Sequence, residues 1–222
     1  MGYVKIYYAD TALLKNDEVF ARFYREVGDD RRAKIDRMAR RADKERSLAA
    51  GIVLMNALNT EGGSEAIHWE ICEDEYGKPY IPGRNDLFFN LSHSGDYVMC
   101  AVSDLPIGCD VQEIENKDCR MIANRFFHPN EARAIGDDSL LFTRVWALKE
   151  SFVKATGRGM STELSSFTVI GDDGEVLDRV RLCEPKDNEF YLNEYKAEDG
   201  YCFASCSAGC KVKTKMCKIN YI

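Results

Sequence analysis

The chain has 222 residues, 45% hydrophobic and 11% aromatic, enough apolar surface for one large or two small folded units and too much for a disordered chain. Its net charge of −7 excludes a general affinity for nucleic acid, which basic surfaces provide. No apolar run approaches the roughly 20 residues of a membrane-spanning helix, and MGYVKIYYAD lacks a secretory apolar stretch, so the sequence reads as cytoplasmic and membrane-free.

Val4–Ala9 alternates apolar and polar residues and predicts a first strand. Helices follow over Asp17–Val27 and Asp30–Leu58, the second broken near Ala42, with Leu48, Ile52, Met55 and Leu58 at core-facing helical spacing. Residues 31–46, RRAKIDRMARRADKER, concentrate the basic charge and can draw a polyanionic small molecule. Glu61-Gly62-Gly63-Ser64 reads as a loop, Trp69–Cys72 as a short strand, and Gly77-Lys78-Pro79 and Pro82-Gly83 as turns. The polar segment Asn90-Leu91-Ser92-His93-Ser94 precedes a strand over Tyr97–Val102, a turn at Asp104-Leu105-Pro106 and a strand over Ile107–Gln112. The second half gives helices at 118–125, 130–136 and 139–156. Strands follow near Phe167–Ile170, Val176–Leu182, Tyr191–Lys196 and Tyr201–Ser205, with a hairpin turn at Gly171–Gly174. The nine cysteines, odd in number and scattered over apolar segments, read as reduced thiols. Cys202, Cys206, Cys210 and Cys217 lack the paired spacing of a zinc site.

Two segments carry chemistry. On a helix, Trp146, Glu150 and Lys154 share one stripe, opposite an apolar stripe of Leu141, Val145, Leu148 and Phe152. A carboxylate and an ammonium on one face can hold a metal ion beside a phosphate, although a Glu150–Lys154 ion pair is the simpler reading. On the Ile107–Gln112 strand, Asp110 and Gln112 project from one face, close enough to share an ion. Their oxygens suit Mg²⁺ or Mn²⁺.

Taken in order, Asn90–His93, Ile107–Asp110 and Trp146–Lys154 resemble the signature blocks of the 4′-phosphopantetheinyl transferases, closest to the Sfp type. The resemblance extends to Tyr76–Gly83, to Arg125-Phe126-Phe127 with Glu131, and to the basic run, covering about residues 31–170. It implies an α+β fold of two pseudo-symmetric α/β halves with the active site in the cleft between them. The halves are residues 1–105, the 3′-phosphate and adenine side, and 106–222, the metal and catalytic side. The implied reaction moves phosphopantetheine from coenzyme A to a serine of an apo carrier protein. Acyl, peptidyl and aryl carrier domains of fatty acid, polyketide or nonribosomal peptide synthesis are all open. A monomer is implied.

The resemblance also implies residue roles. Asp110, Glu150 and Gln112 would hold Mg²⁺, with Gln112 standing where the family often carries a third acid. Glu150 would also act as base, and Asp110, Glu150 and Lys154 would form the catalytic set. Coenzyme A would contact Arg46 at its 3′-phosphate, Lys78 at its nucleotide, Ser92 and His93 at a phosphate, and Lys154, with Lys34 and Arg31 upstream, Arg31 replacing the usual lysine. Glu131 matches a further acid near the metal, or simply a glutamate at a helix start. Cys119–Phe127, with Met121, Ile122 and Phe126, would meet the carrier. Loss of Asp110 or Glu150 is expected to abolish activity and spare the fold. The competing readings are a metal-dependent nucleotide hydrolase and a non-catalytic binder of coenzyme A or a carrier.

Overall fold

The computed structural model describes residues 2–63, 69–115, 118–183, 189–209 and 211–220, and the backbone but not the side chain of Met160. Ser64 and Cys210 lie outside the described residues. The N-terminal half contains β1 (Tyr3–Asp10), α1 (Asp17–Glu26), α2 (Asp29–Asp36), α3 (Arg41–Gly62), a hairpin of β2 (Cys72–Glu73) and β3 (Pro79–Tyr80), β4 (Phe88–Ser94) and β5 (Tyr97–Ser103). The C-terminal half contains β6 (Ile107–Glu113), α4 (Arg120–Phe126), α5 (Pro129–Ile135), α6 (Ser139–Thr156), β7 (Phe167–Ile170), β8 (Val176–Leu182), β9 (Phe190–Tyr195) and β10 (Tyr201–Ala208). The last strand is β11 (Lys213–Lys218).

One sheet has the order β11-β1-β5-β4, and the other β6-β10-β9-β8-β7. The halves therefore divide at the turn before β6, except that β11 returns to pair in parallel with β1 and completes the N-terminal sheet. The division of the chain at residue 105 does not hold for these last residues. Exposed Lys213, Lys215 and Lys218 give β11 a polar pattern typical of a sheet edge, which is why the sequence gives no strand there.

Each half packs a long helix on its sheet. Leu48, Ile52 and Leu58 of α3 join Tyr7, Val98 and Val102 in one core, while Val145, Leu148 and Phe152 of α6 join Phe167, Val169 and Ala204 in another. The alternate residues of the strands form a third core: Val4, Ile6 and Met99 from the first sheet meet Ile107, Cys109 and Phe203 from the second. Strand periodicity thus sends each central strand's side chains to two different cores.

The sheets meet at β4 and β6, with side chains bridging the strands. Asn90 Oδ1 accepts from the Cys109 N–H (2.9 Å), Ser92 Oγ from Val111 (3.4 Å) and Ser94 Oγ from Glu113 (3.0 Å). Every second side chain on β4 thus satisfies every second amide on the β6 edge, at one constant offset. The polar alternation of Asn90–Ser94 has this structural cause.

The break in the second helix falls between α2 and α3, at residues 37–40 rather than near Ala42, and α3 runs on through Glu61 to Gly62. Gly63 then turns the chain at φ 79°, a conformation open to glycine. Residues 69–71 are not strand, since β2 begins only at Cys72. Among the described helices none is long and apolar enough to cross a membrane.

Candidate functional site

A cavity of about 1040 Å³ opens between α2, α3, the β2–β3 hairpin and β4, and the C-terminal end of α6 closes it. Arg31, Lys34, Arg46, Lys78, His93 and Lys154 all line it. Asp30, Asp43, Glu70 and Glu73 line it too, but in a chain of net charge −7 the cavity wall still carries more cations than acids.

The cations are not equally free. Arg46 donates to the Asp43 carboxylate and to the Gly95 carbonyl (3.2 Å), so part of its fork is already engaged. Lys78 is committed further. Its Nζ donates to the carbonyls of Ile107 (3.1 Å), Lys154 (2.7 Å) and Ala155 (3.0 Å), which uses all three ammonium protons, one on β6 and two at the negative end of α6. Burial pulls its pKa down to about 8. Lys78 is thus a strut between the β2–β3 hairpin and α6, and it also lines the cavity where the resemblance implies a nucleotide contact. Arg31 and Lys34 form no hydrogen bond or ion pair among the described residues.

His93 projects beside Arg46 and Lys154. Burial, then the Arg46 and Lys154 charges, lower its pKa, so the imidazole is neutral at pH 7 and keeps one N–H to donate. Ser92 has a different fate. Its hydroxyl donates to Asp110 Oδ1 (2.7 Å) and receives Lys154 Nζ (3.1 Å) in addition to the Val111 amide. Ser92 is buried and absent from the cavity wall, and its hydroxyl helps to fix Asp110.

Asp110 is 2% exposed on β6, and its carboxylate accepts from Lys154 Nζ at 2.6 Å and from Gln112 Nε2 at 2.8 Å. Lys154 therefore pairs with Asp110 across the β6–α6 contact, not with Glu150 along its own helix. Burial is the largest single effect and opposes the Lys154 charge, but Asp110, Cys109 and Glu150 together outweigh it and the pKa is raised. Glu150, half-buried, makes no hydrogen bond or ion pair among the described residues. Burial and then Asp110 push its carboxyl up, against Lys154. The rise caused by Asp110 shows the two carboxylates to be electrostatically close.

Those two carboxylates and the Gln112 amide oxygen make a hard-donor set for a divalent cation that takes its other oxygens from phosphate and water. The set fits. It holds only two acids, and among the described residues no group of three or more His, Cys, Asp or Glu could hold a metal. Asp110, Gln112 and Glu150 lie outside the cavity wall, and Lys154 links them to it.

Glu131 is not at this site. It is fully buried, pairs with Lys149 Nζ at 2.7 Å and accepts from Thr168 Oγ1 and the Val169 N–H. Lys149, also fully buried, donates to the Phe167 carbonyl (2.8 Å) and lies over the Phe167 ring. The pair pins α5 to α6 and β7, and burial pulls the Lys149 pKa down to about 8.

Three contributors were invisible in the sequence. Ser47 lines the cavity next to Arg46 with a buried hydroxyl that has no partner. Gly51 lies against Arg31, and a Cβ on Gly108 would come within 2.1 Å of the Ser151 carbonyl oxygen of α6. An absent side chain leaves no motif.

Comparison with known proteins agrees with this geometry. The pattern of the 4′-phosphopantetheinyl transferase superfamily matches residues 106–206, and that of the 4′-phosphopantetheinyl transferase N-terminal region matches residues 15–105. A 4′-phosphopantetheinyl transferase of Bacillus subtilis is 35% identical over 214 residues, covering 92% of both chains. The 4′-phosphopantetheinyl transferase Sfp of Bacillus subtilis strain 168 is 32% identical over 213 residues, again 92% of each. The 4′-phosphopantetheinyl transferase HetI of Nostoc is 31% identical over 145 residues, 61% of each. With the cationic cavity and carboxylate pair in place, the two similarities that cover 92% of the chain show that it belongs to the 4′-phosphopantetheinyl transferase superfamily, and to its Sfp type.

Proposed function

We propose that the cavity binds the nucleotide end of coenzyme A and that the adjoining carboxylates act on its pyrophosphate. The observation that carries this reading is the continuity of the two: Lys154 lines the cavity and is bonded to Asp110. Arg31, Lys34, Arg46 and the orphan Ser47 hydroxyl face the 3′-phosphate, His93 donates its single N–H to a phosphate, and Lys154 bridges the pyrophosphate to Asp110. In the transfer, the carrier serine oxygen bonds to the phosphorus bearing pantetheine. The bond from that phosphorus to the bridging oxygen breaks, and adenosine 3′,5′-bisphosphate leaves with the electron pair. Glu150, raised toward neutrality and without a partner, takes the serine proton. Asp110, Glu150 and Gln112 would hold a Mg²⁺ ion, or Mn²⁺, which when bound neutralises pyrophosphate charge. The N-terminal half then binds nucleotide and the C-terminal half does the chemistry.

The carrier docks beside this site on α4. Met121 is 72% exposed and Phe126 45%, an outward apolar pair that the core does not claim, whereas Cys119 and Phe127 are buried. We place the protein in the cytoplasm as a monomer that meets coenzyme A and apo carriers there.

Incubation with coenzyme A, Mg²⁺ and a panel of apo acyl, peptidyl and aryl carriers, read by intact mass, tests the reading. One carrier gains a phosphopantetheine, and no carrier is modified when EDTA is present. Release of adenosine 3′,5′-bisphosphate with no carrier modified would instead mark a hydrolase.

His93 gives a pH signature. Its pKa is depressed in the free protein, and a bound phosphate reverses that, so adenosine 3′,5′-bisphosphate binding takes up a proton. Affinity therefore rises as pH falls from neutral. Calorimetry in buffers of different ionisation enthalpy should show this uptake, reduced in His93→Gln. Equal uptake in both proteins would mean the proton goes to the phosphate and His93 stands apart.

A further inference from the structure

Position 51 sits inside α3, far from either end, where glycine is among the poorest helix formers. A Cβ there would lie 3.1 Å from Cγ, 3.3 Å from Nε and 3.4 Å from Cδ of Arg31. The aliphatic stem of Arg31, reaching over from α2, thus occupies the space a side chain on Gly51 would need.

The charge at the end of that stem has no counter-ion. Arg31 forms no hydrogen bond or ion pair among the described residues, and burial lowers its pKa with no carboxylate to oppose it. Its neighbour Arg32 behaves in the opposite way, donating to the Val27 carbonyl (2.7 Å) and to Asp29. Both Arg31 and Gly51 line the cavity. A half-buried guanidinium held without a partner is stabilised when an anion arrives, provided that its stem is already aimed.

We propose that Gly51 is a positioning residue for the anion site: its missing side chain forms the seat that directs the Arg31 guanidinium into the cavity. The proposal rests on the reading of that cavity as a phosphate-bearing nucleotide site. An arginine is longer than a lysine and carries a planar fork that must be oriented to bond phosphate in two places, so the seat matters more to it.

The test is a double-mutant cycle on the full chain, with adenosine 3′,5′-bisphosphate titrated by calorimetry and thermal unfolding recorded alongside. Arg31→Ala weakens binding about tenfold or more, the loss expected for charge-assisted hydrogen bonds. Gly51→Ala weakens it roughly threefold to tenfold and Gly51→Leu further, because the added atoms push the stem aside. In an Arg31→Ala background neither substitution at position 51 weakens binding again. Thermal midpoints of the Gly51→Ala protein stay level or rise, since alanine favours helix, which separates lost binding from lost folding. Equal losses with and without Arg31, or no loss when Arg31 is present, would overturn the seat. An Arg31→Ala protein that binds as well as the unaltered chain would overturn it too, while leaving the nucleotide reading intact. Failure of the unaltered chain to bind the bisphosphate would strike the nucleotide reading itself.

Discussion

Replacing Gly108 by alanine lifts α6 off β6, and the protein loses stability and activity together. A Cβ at this position would lie 2.1 Å from the Ser151 carbonyl oxygen, 2.3 Å from the Ala155 nitrogen and 2.8 Å from the Lys154 carbonyl carbon. All three are backbone atoms in a regular helical turn, so no rotamer change relieves the overlap. Side chains facing β6 are short here: Ser151 and Ala155 are both buried, one turn apart. The whole helix must retreat, and with it go the Lys154–Asp110 bond and the Lys78 contacts to the last turn of α6. Overpacking in a core costs about 1–3 kcal/mol when side chains can adjust, so a backbone overlap belongs at or above the upper end. For a chain of this size about 3 kcal/mol corresponds to roughly 6–12 °C in Tm. Thermal unfolding and carrier modification measured together test it. A Gly108→Ala protein with unaltered Tm and turnover would show that α6 does not sit this close.

How much of this was legible in the sequence depended on whether the signal was local. Helix α6 was legible from end to end because its period is strong and Gly157 stops it in the left-handed conformation, φ 70°. Asp110, Gln112, Glu150 and Lys154 were legible as a group, since strand and helix periodicity alone place each pair on one face. Their pairing was not. Lys154 chooses Asp110 because β6 and α6 pack backbone to backbone, a tertiary fact. The same limit applies to Glu131, whose partner Lys149 is fixed only when α5 meets α6. Asn90, Ser92 and Ser94 show a different limit. Hydroxyls and amides at alternate positions read alike whether they face a phosphate or a neighbouring strand, and only the bonds to Cys109, Val111 and Glu113 separate the two. Lys78 shows the same limit, since a lysine in a Gly-Pro turn gives no hint that carbonyls await it.

The structure also separates two substitutions that the sequence treats as equivalent. Glu150→Gln should cost turnover and spare the fold; Asp110→Asn should cost both. Glu150 is half-buried, without a bond to another described residue, and its carboxyl is already raised by burial and by Asp110, so the neutral amide replaces it without loss. Removing a general base costs about 10²–10⁴-fold in rate, and the same change subtracts one of the two acids available to a cation. Asp110 is bound on every side. Its carboxylate receives Lys154, Ser92 and Gln112 in an almost fully buried setting. Without it the Lys154 ammonium loses its counter-ion where burial already opposes its charge and keeps only the Ser92 hydroxyl and the Cys109 carbonyl, and breaking a buried pair from one side costs about 3–5 kcal/mol. The expectation that either carboxylate can be removed without harm to the fold thus survives only for Glu150. Thermal unfolding and intact-mass transfer assays on both variants check it. A stable Asp110→Asn protein would mean that the Ser92 hydroxyl and Cys109 carbonyl suffice for Lys154, and a Glu150→Gln protein with near-native turnover would move the proton to a different base.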